Sequence, residues 1–230
     1  MPSLSAIEIQ ALELSLKVAL VSVAFSLPAG IAVAWLLARR QFPGKMLLDG
    51  LVHLPLVLPP VVIGYLLLVV MGRQGLIGAW LFDTFGVSFA FSWRGAALAA
   101  GVMAFPLMVR AVRLSIEAVD LRLEEAARTL GAGQISVFLT VTLPLAVPGI
   151  LTGAILAFAR AIGEFGATIT FVSNIPGETR TLPLALYTMV QTPDGEAAAL
   201  RVVIISVVLA FSALFASEML ARRLKRRAVD

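Results

Sequence analysis

The chain has 230 residues, 60% of them hydrophobic and 14% charged, with a mean hydropathy of +0.97. A water-soluble domain carries about 25% charged residues, so most of this surface is built to face lipid, and the net charge of +4 does not indicate a nucleic-acid-binding domain. Cysteine is absent, which removes disulfides and thiolate metal sites.

The N-terminus does not read as a signal peptide. Glu8 and Glu13 precede Lys17, so there is no basic leader, and the apolar run that follows is too long for a cleaved segment. Residues 18–38 are 21 positions without a charge, enough to cross about 30 Å of hydrocarbon at about 1.5 Å per residue. Pro28 predicts a bend within this run. Arg39, Arg40 and Lys45 follow in a short loop turned by Pro43 and Gly44. A second run, 51–71, contains Pro55, Pro59 and Pro60. Three missing N–H donors free backbone carbonyls that lipid does not satisfy, so this helix is expected to be broken and to face the protein interior. His53, the only histidine, reads as a headgroup-level or packed polar residue and not as a ligand.

Residues 72–92 are rich in glycine and aromatics, with Trp80, Phe82, Phe85, Phe89 and Phe91 suiting either an interfacial loop or a short re-entrant helix. The third run, 95–109, lies between Arg94 and Arg110 and is dominated by Gly and Ala, the composition of a helix that packs closely on its neighbours. A fourth run, 141–159, carries Pro144 and Pro148 and leads into Arg160 and Glu164 with no gap in hydrophobicity. Residues 173–200 read as a polar loop holding one short helix. The fifth run, 202–217, ends in Arg222, Arg223, Lys225, Arg226 and Arg227.

These elements predict an all-α, polytopic membrane protein: one domain over 1–230 with spans at 13–38, 50–71, 92–113, 145–171 and 200–220. Alternating the spans puts twelve basic residues on one side and five on the other, with Arg160 left inside. The positive-inside rule assigns the twelve to the cytoplasm, with the N-terminus outside and the C-terminus inside.

One stretch between spans three and four, residues 119–144, is amphipathic. Val119, Leu123, Ala126, Ala127 and Leu130 share one helical face, while Arg122, Glu124, Glu125, Arg128 and Thr129 take the other. Asp120 suits an N-cap, Glu124 and Arg128 are spaced for an i, i+4 pair, and Gly131 suits a left-handed C′ position. A second short turn is expected over 134–140, closed by Pro144. The pattern predicts a helix–turn–helix lying on the membrane surface, although an ordinary inter-span loop has the same composition.

No phosphate-binding G-x-x-x-x-G-K-[ST] loop, G-x-S-x-G elbow or H-E-x-x-H helix is present, so no catalytic residue, metal site or cofactor is assigned. Arg160 and Glu164 are charges at membrane depth, i, i+4 on a continuous helix, and are therefore pathway or gate candidates or else a structural staple. Gly163, Phe165 and Gly166 beside them, and Pro59 and Pro60, complete the candidate pathway set. An ion-coupled secondary transporter using Arg160 and Glu164 as a relay stays open, although no internal repeat supports it; so does a scaffold without transport.

Glu125–Ala126–Ala127, Gly131 and Val141–Thr142–Leu143–Pro144 match the E-A-A-x-x-x-G-x(9)-I-x-L-P signature of importer-type ABC transporter permeases, with Val141 in place of Ile. The segments at 42–69, 120–133, 159–174 and 173–193 resemble the sulfate/molybdate/tungstate branch of that family, and molybdate permeases most. The resemblance covers essentially the whole chain, although many family members carry an extra N-terminal span. It implies a subunit of the bacterial inner membrane that translocates an oxyanion but does not itself hydrolyse ATP. Glu124, Glu125, Ala126, Ala127, Arg128, Gly131, Leu143 and Pro144 would then face a cytosolic ABC ATPase subunit, present in two copies. The other implied partners are a second permease copy forming a homodimer, a periplasmic molybdate-binding protein and the lipid bilayer, with no nucleic acid.

Overall fold

The computed structural model describes residues 5–227 and is helical throughout its regular structure. Helix α1 (Ala6–Arg39) starts with a capping box. The Ser5 hydroxyl accepts from the Glu8 N–H, and the Ser5 N–H donates to the Glu8 carboxylate at 2.7 Å. Pro28 sits inside this helix without ending it. Helices α2 (Lys45–Val57) and α3 (Pro60–Met71) are bent by 116° at Leu58–Pro59. The second run is thus broken, as its three prolines predict, but not at Pro55, which sits inside α2, and its first half begins at Lys45. A short helix, α4 (Leu76–Phe85), occupies the aromatic-rich stretch.

The buried centre of the protein is α5 (Trp93–Glu117), whose Ala96, Ala99, Ala100, Met108, Val109 and Val112 are fully enclosed. Its small residues let α1 and α8 (Leu143–Ile162) approach on either side. Lys17 lies over the Trp93 ring at 3.7 Å and Gly30 meets Met108, so α1 and α5 run in the same direction. Gly149 faces Ser115 while Gly153 faces Met108, so α8 runs the opposite way. The final helix, α11 (Glu196–Arg227), begins beside the start of α1, where Arg201 donates to the fully buried Glu8 at 2.8 Å. It continues through Arg222, Arg223, Lys225, Arg226 and Arg227, whose side chains lie outside the described ones. Between α8 and α11 stand α9 (Gly166–Val172) and α10 (Leu182–Val190), the latter being the short helix expected in the 173–200 loop.

By length and composition, four helices among the described residues are long and apolar enough to cross a membrane, or five with the α2–α3 pair as one bent span. Two expectations are corrected. Pro144 does not close a separate turn: α7 (Gln134–Val137), a π turn over Phe138–Thr142 and α8 form one helix from Gln134 to Ile162. The wide turn explains how. A proline ring clashes with the carbonyl four residues back and has no N–H to offer it; here the turn ahead of Pro144 is widened, with the Leu143 N–H donating to the Phe138 carbonyl instead. The fourth span is also not continuous to 171, because α8 stops at Ile162 and α9 restarts at Gly166.

Candidate functional site

The amphipathic stretch folds as α6 (Leu121–Thr129). The Asp120 carboxylate accepts from the Arg122 N–H at 2.9 Å, as an N-cap does. The chain reverses at Gly131, whose φ of +87° is the left-handed conformation expected there. The Ala132 N–H then bonds back to the Ala127 carbonyl at 3.1 Å. Leu121, Leu123, Ala126 and Leu130 are exposed and Ala127 is half-buried, so the apolar face points away from the body of the protein. Glu125, Arg128, Gly131 and Pro144 are exposed as well, and Leu143 is half-buried against the core.

Glu124 departs from the sequence expectation. Helical periodicity puts it on the polar outer side with the residues expected to face a partner, yet it is only 3% exposed. Its Oε1 accepts from Arg39 Nε at 2.9 Å and from the Thr142 hydroxyl at 2.9 Å. Its Oε2 meets Arg128 Nη2 at 3.5 Å, so the expected i, i+4 pair exists but is the longest of the three contacts. Arg39 also donates to the Val119 carbonyl at 3.0 Å. Close by, Arg40 bonds the Gln134 side chain and lies over Trp35, whose ring meets Phe138 edge-on at 5.6 Å. The end of α1, the start of α6 and the π turn therefore close around one carboxylate, bordering a polar cavity of about 110 Å³. Arg39 and Thr142 were not singled out from sequence. Arg39 sits at the end of an apolar run and reads there only as a membrane-end anchor, and its partner is 85 residues away.

The second set of candidates lies at the break between α8 and α9. Arg160 and Glu164 do pair, with Nη1 and Oε2 2.7 Å apart, but not along a helical face as expected, because the helix ends between them. Glu164 is turned fully inward and its Oε1 accepts from the Ala167 N–H at 2.8 Å, which ties the restarted helix to the break. The Arg160 side chain remains 28% exposed. Gly163 is exposed, and Phe165 is half-buried with its ring 5.3 Å from that of Tyr187.

The two breaks pack on each other. A Cβ on Gly166 would stand 2.7 Å from Pro60, and a Cβ on Gly64 would stand 2.5 Å from the Ala167 carbonyl. Only glycine permits this approach of α3 to α9, and Pro60 and Gly166, chosen separately from sequence, are neighbours. Pro59 is exposed at the bend. Apart from Ile63 and Gly64, α3 is incompletely covered: Val61, Val62, Tyr65, Leu66, Val69 and Val70 are all exposed. His53 packs within α2, with Nδ1 2.9 Å from the Asp49 carbonyl oxygen, as a polar structural residue. No group of three or more His, Asp or Glu side chains among the described residues is arranged to hold a metal.

Residues 26–226 match the family described as binding-protein-dependent transport system inner membrane component. The chain is 66% identical over 221 residues to the molybdenum transport system permease protein ModB of Escherichia coli strain K12, covering 96% of both chains. It is 58% identical over 220 residues to the ModB protein of Haemophilus influenzae, again covering 96% of both. Its fold is shared with a chain of the MetNI methionine ABC transporter solved in inward-facing conformations, at a TM-score of 0.73 and 19% identity over 94% of this chain and 95% of that one.

Proposed function

The chain belongs to the family of binding-protein-dependent transport system inner membrane components, and from that premise we propose that it is the membrane-spanning subunit of an ATP-driven importer of molybdate. It is a multi-pass protein of the inner membrane. The observation that carries the substrate assignment is the 66% identity maintained along 96% of the molybdenum permease.

The geometry supports the division of labour this function requires. The chain has no nucleotide-binding loop, so ATP hydrolysis belongs to a cytosolic subunit, two copies of which serve a permease dimer. The outward apolar face of α6, with Glu125 and Arg128 at its rim, suits docking onto that subunit. The uncovered face of α3 suits a second copy of the chain, and a two-fold pair is the default symmetry. The pathway then runs beside the packed breaks, where the part-exposed Arg160 favours an anion. The shared direction of α1, α5 and α11 suits an N-terminus outside and the basic end of α11 in the cytoplasm. A periplasmic binding protein meets the opposite face.

Labelled-molybdate uptake in cells with and without this chain tests the assignment. Loss of uptake on deletion, restored by the gene, supports it. Unchanged uptake, or uptake that sulfate or tungstate competes away at equal concentration, overturns molybdate in favour of another oxyanion of the same branch. Transport by the purified chain without ATP would instead indicate a secondary anion transporter.

A further inference from the structure

The buried position of Glu124 gives it a task distinct from that of its neighbours on α6. Leu123, Ala126 and Leu130 face outward, whereas Glu124 is held by groups from two other elements. We propose that Glu124 is a positioning residue that carries movement of α6 into α8 through Thr142, with Arg39 as the pivot about which it turns. This rests on the reading of the chain as an ATP-driven permease.

Arg39 is anchored through its own helix: it sits at the end of α1, two residues after the fully buried Leu37, and its second bond, to the Val119 carbonyl, holds the entry to α6. Thr142 is the opposite kind of partner. It is the last residue of the π turn, a segment where the backbone pairs five residues back instead of four and so has a second, tighter register available. Thr142 is only 1% exposed, and its hydroxyl donates to the same Glu124 oxygen that Arg39 holds. Beyond Thr142, α8 continues for 20 residues to Ile162, about 30 Å at about 1.5 Å per residue. A displacement delivered at Thr142 therefore reaches Arg160 and the Gly163–Phe165 break along one rod. Because Glu124 is enclosed, α6 cannot turn about its bond to Arg39 without either dragging Thr142 or breaking the Thr142 bond to a buried carboxylate, and the second is the costlier course.

The test is the intact complex, with ATPase subunits and binding protein, reconstituted into vesicles, with molybdate uptake and ATP hydrolysis measured together. The expected result is that Glu124→Gln and Thr142→Val each lower the molybdate imported per ATP hydrolysed by about 5-fold or more, the scale of a typical coupling free energy. Thr142→Ser, which keeps the hydroxyl, restores the wild-type ratio. A merely structural role would lower both rates in proportion and leave the ratio unchanged, and that outcome overturns the proposal. So does a wild-type ratio in Thr142→Val, the variant that decides the matter if Glu124→Gln does not assemble. Failure of the wild-type complex to import molybdate would count against the proposed function and not against this residue assignment.

Discussion

Two enclosed carboxylates, Glu124 and Glu164, are each paired with an arginine, and the way each is held differs. Glu124 has three donors, from α1, α6 and the π turn. Glu164 has two contacts, both local: Arg160 four residues before it and the Ala167 N–H three residues after it. The first site connects distant parts of the chain and distributes its charge. The second is a self-contained clasp across a helix break, and its stability depends on one arginine. A buried ion pair gives little net stability as a pair, but removing one partner leaves an expensive unpaired charge; the number of remaining donors then sets the cost.

The largest effect should follow Arg160→Ala, which leaves Glu164 enclosed with a single donor: about 3–5 kcal/mol of stability, read from thermal unfolding of the detergent-purified complex. Arg39→Ala removes the corresponding group from Glu124 but leaves Thr142 and Arg128, so about 1–3 kcal/mol is expected. Equal losses in the two variants would erase the distinction between a distributed and a local site. Glu164→Ala should cost less than Arg160→Ala, about 1–2 kcal/mol for the lost N-terminal tether, because Arg160 is already partly open to its surroundings. The double variant Arg160→Ala/Glu164→Ala should accordingly be more stable than Arg160→Ala alone; a purely additive result would argue against direct pairing. The smallest loss of stability is expected from Gly131→Val, about 1 kcal/mol, since a branched side chain resists the left-handed turn. Its main readout is reduced co-purification of the ATPase subunit, and unchanged co-purification would show that the turn does not orient α6 for docking.

The same contrast explains what was legible in the sequence. The Arg160–Glu164 pair was readable because its members are four residues apart in an apolar run. The break between them was not readable, because Gly163 and Gly166 signal close packing as readily as a helix end, and it is Glu164 itself that tethers the restart. A break in the second run was plain from its missing donors, but its place beside Pro59 and Pro60, and its seat against Gly166, a contact between positions 106 apart, are encoded by no local pattern. The ends and turn of α6 were likewise clear from Asp120 and Gly131. The inward turn of Glu124 was hidden because helical periodicity ranks it with the polar face, and only the third dimension brings Arg39 and Thr142 to it. Pro144 misled for a related reason: a proline usually ends a helix, but a widened turn accommodates it.

The glycine contact between α3 and α9 also bears on how the two breaks can move. With Gly64 against Ala167 and Gly166 against Pro60, no side chain stands between the two backbones to be displaced, so neither half-helix can close further on the other. A push arriving along α8 would therefore meet the two breaks as one joint and not as two.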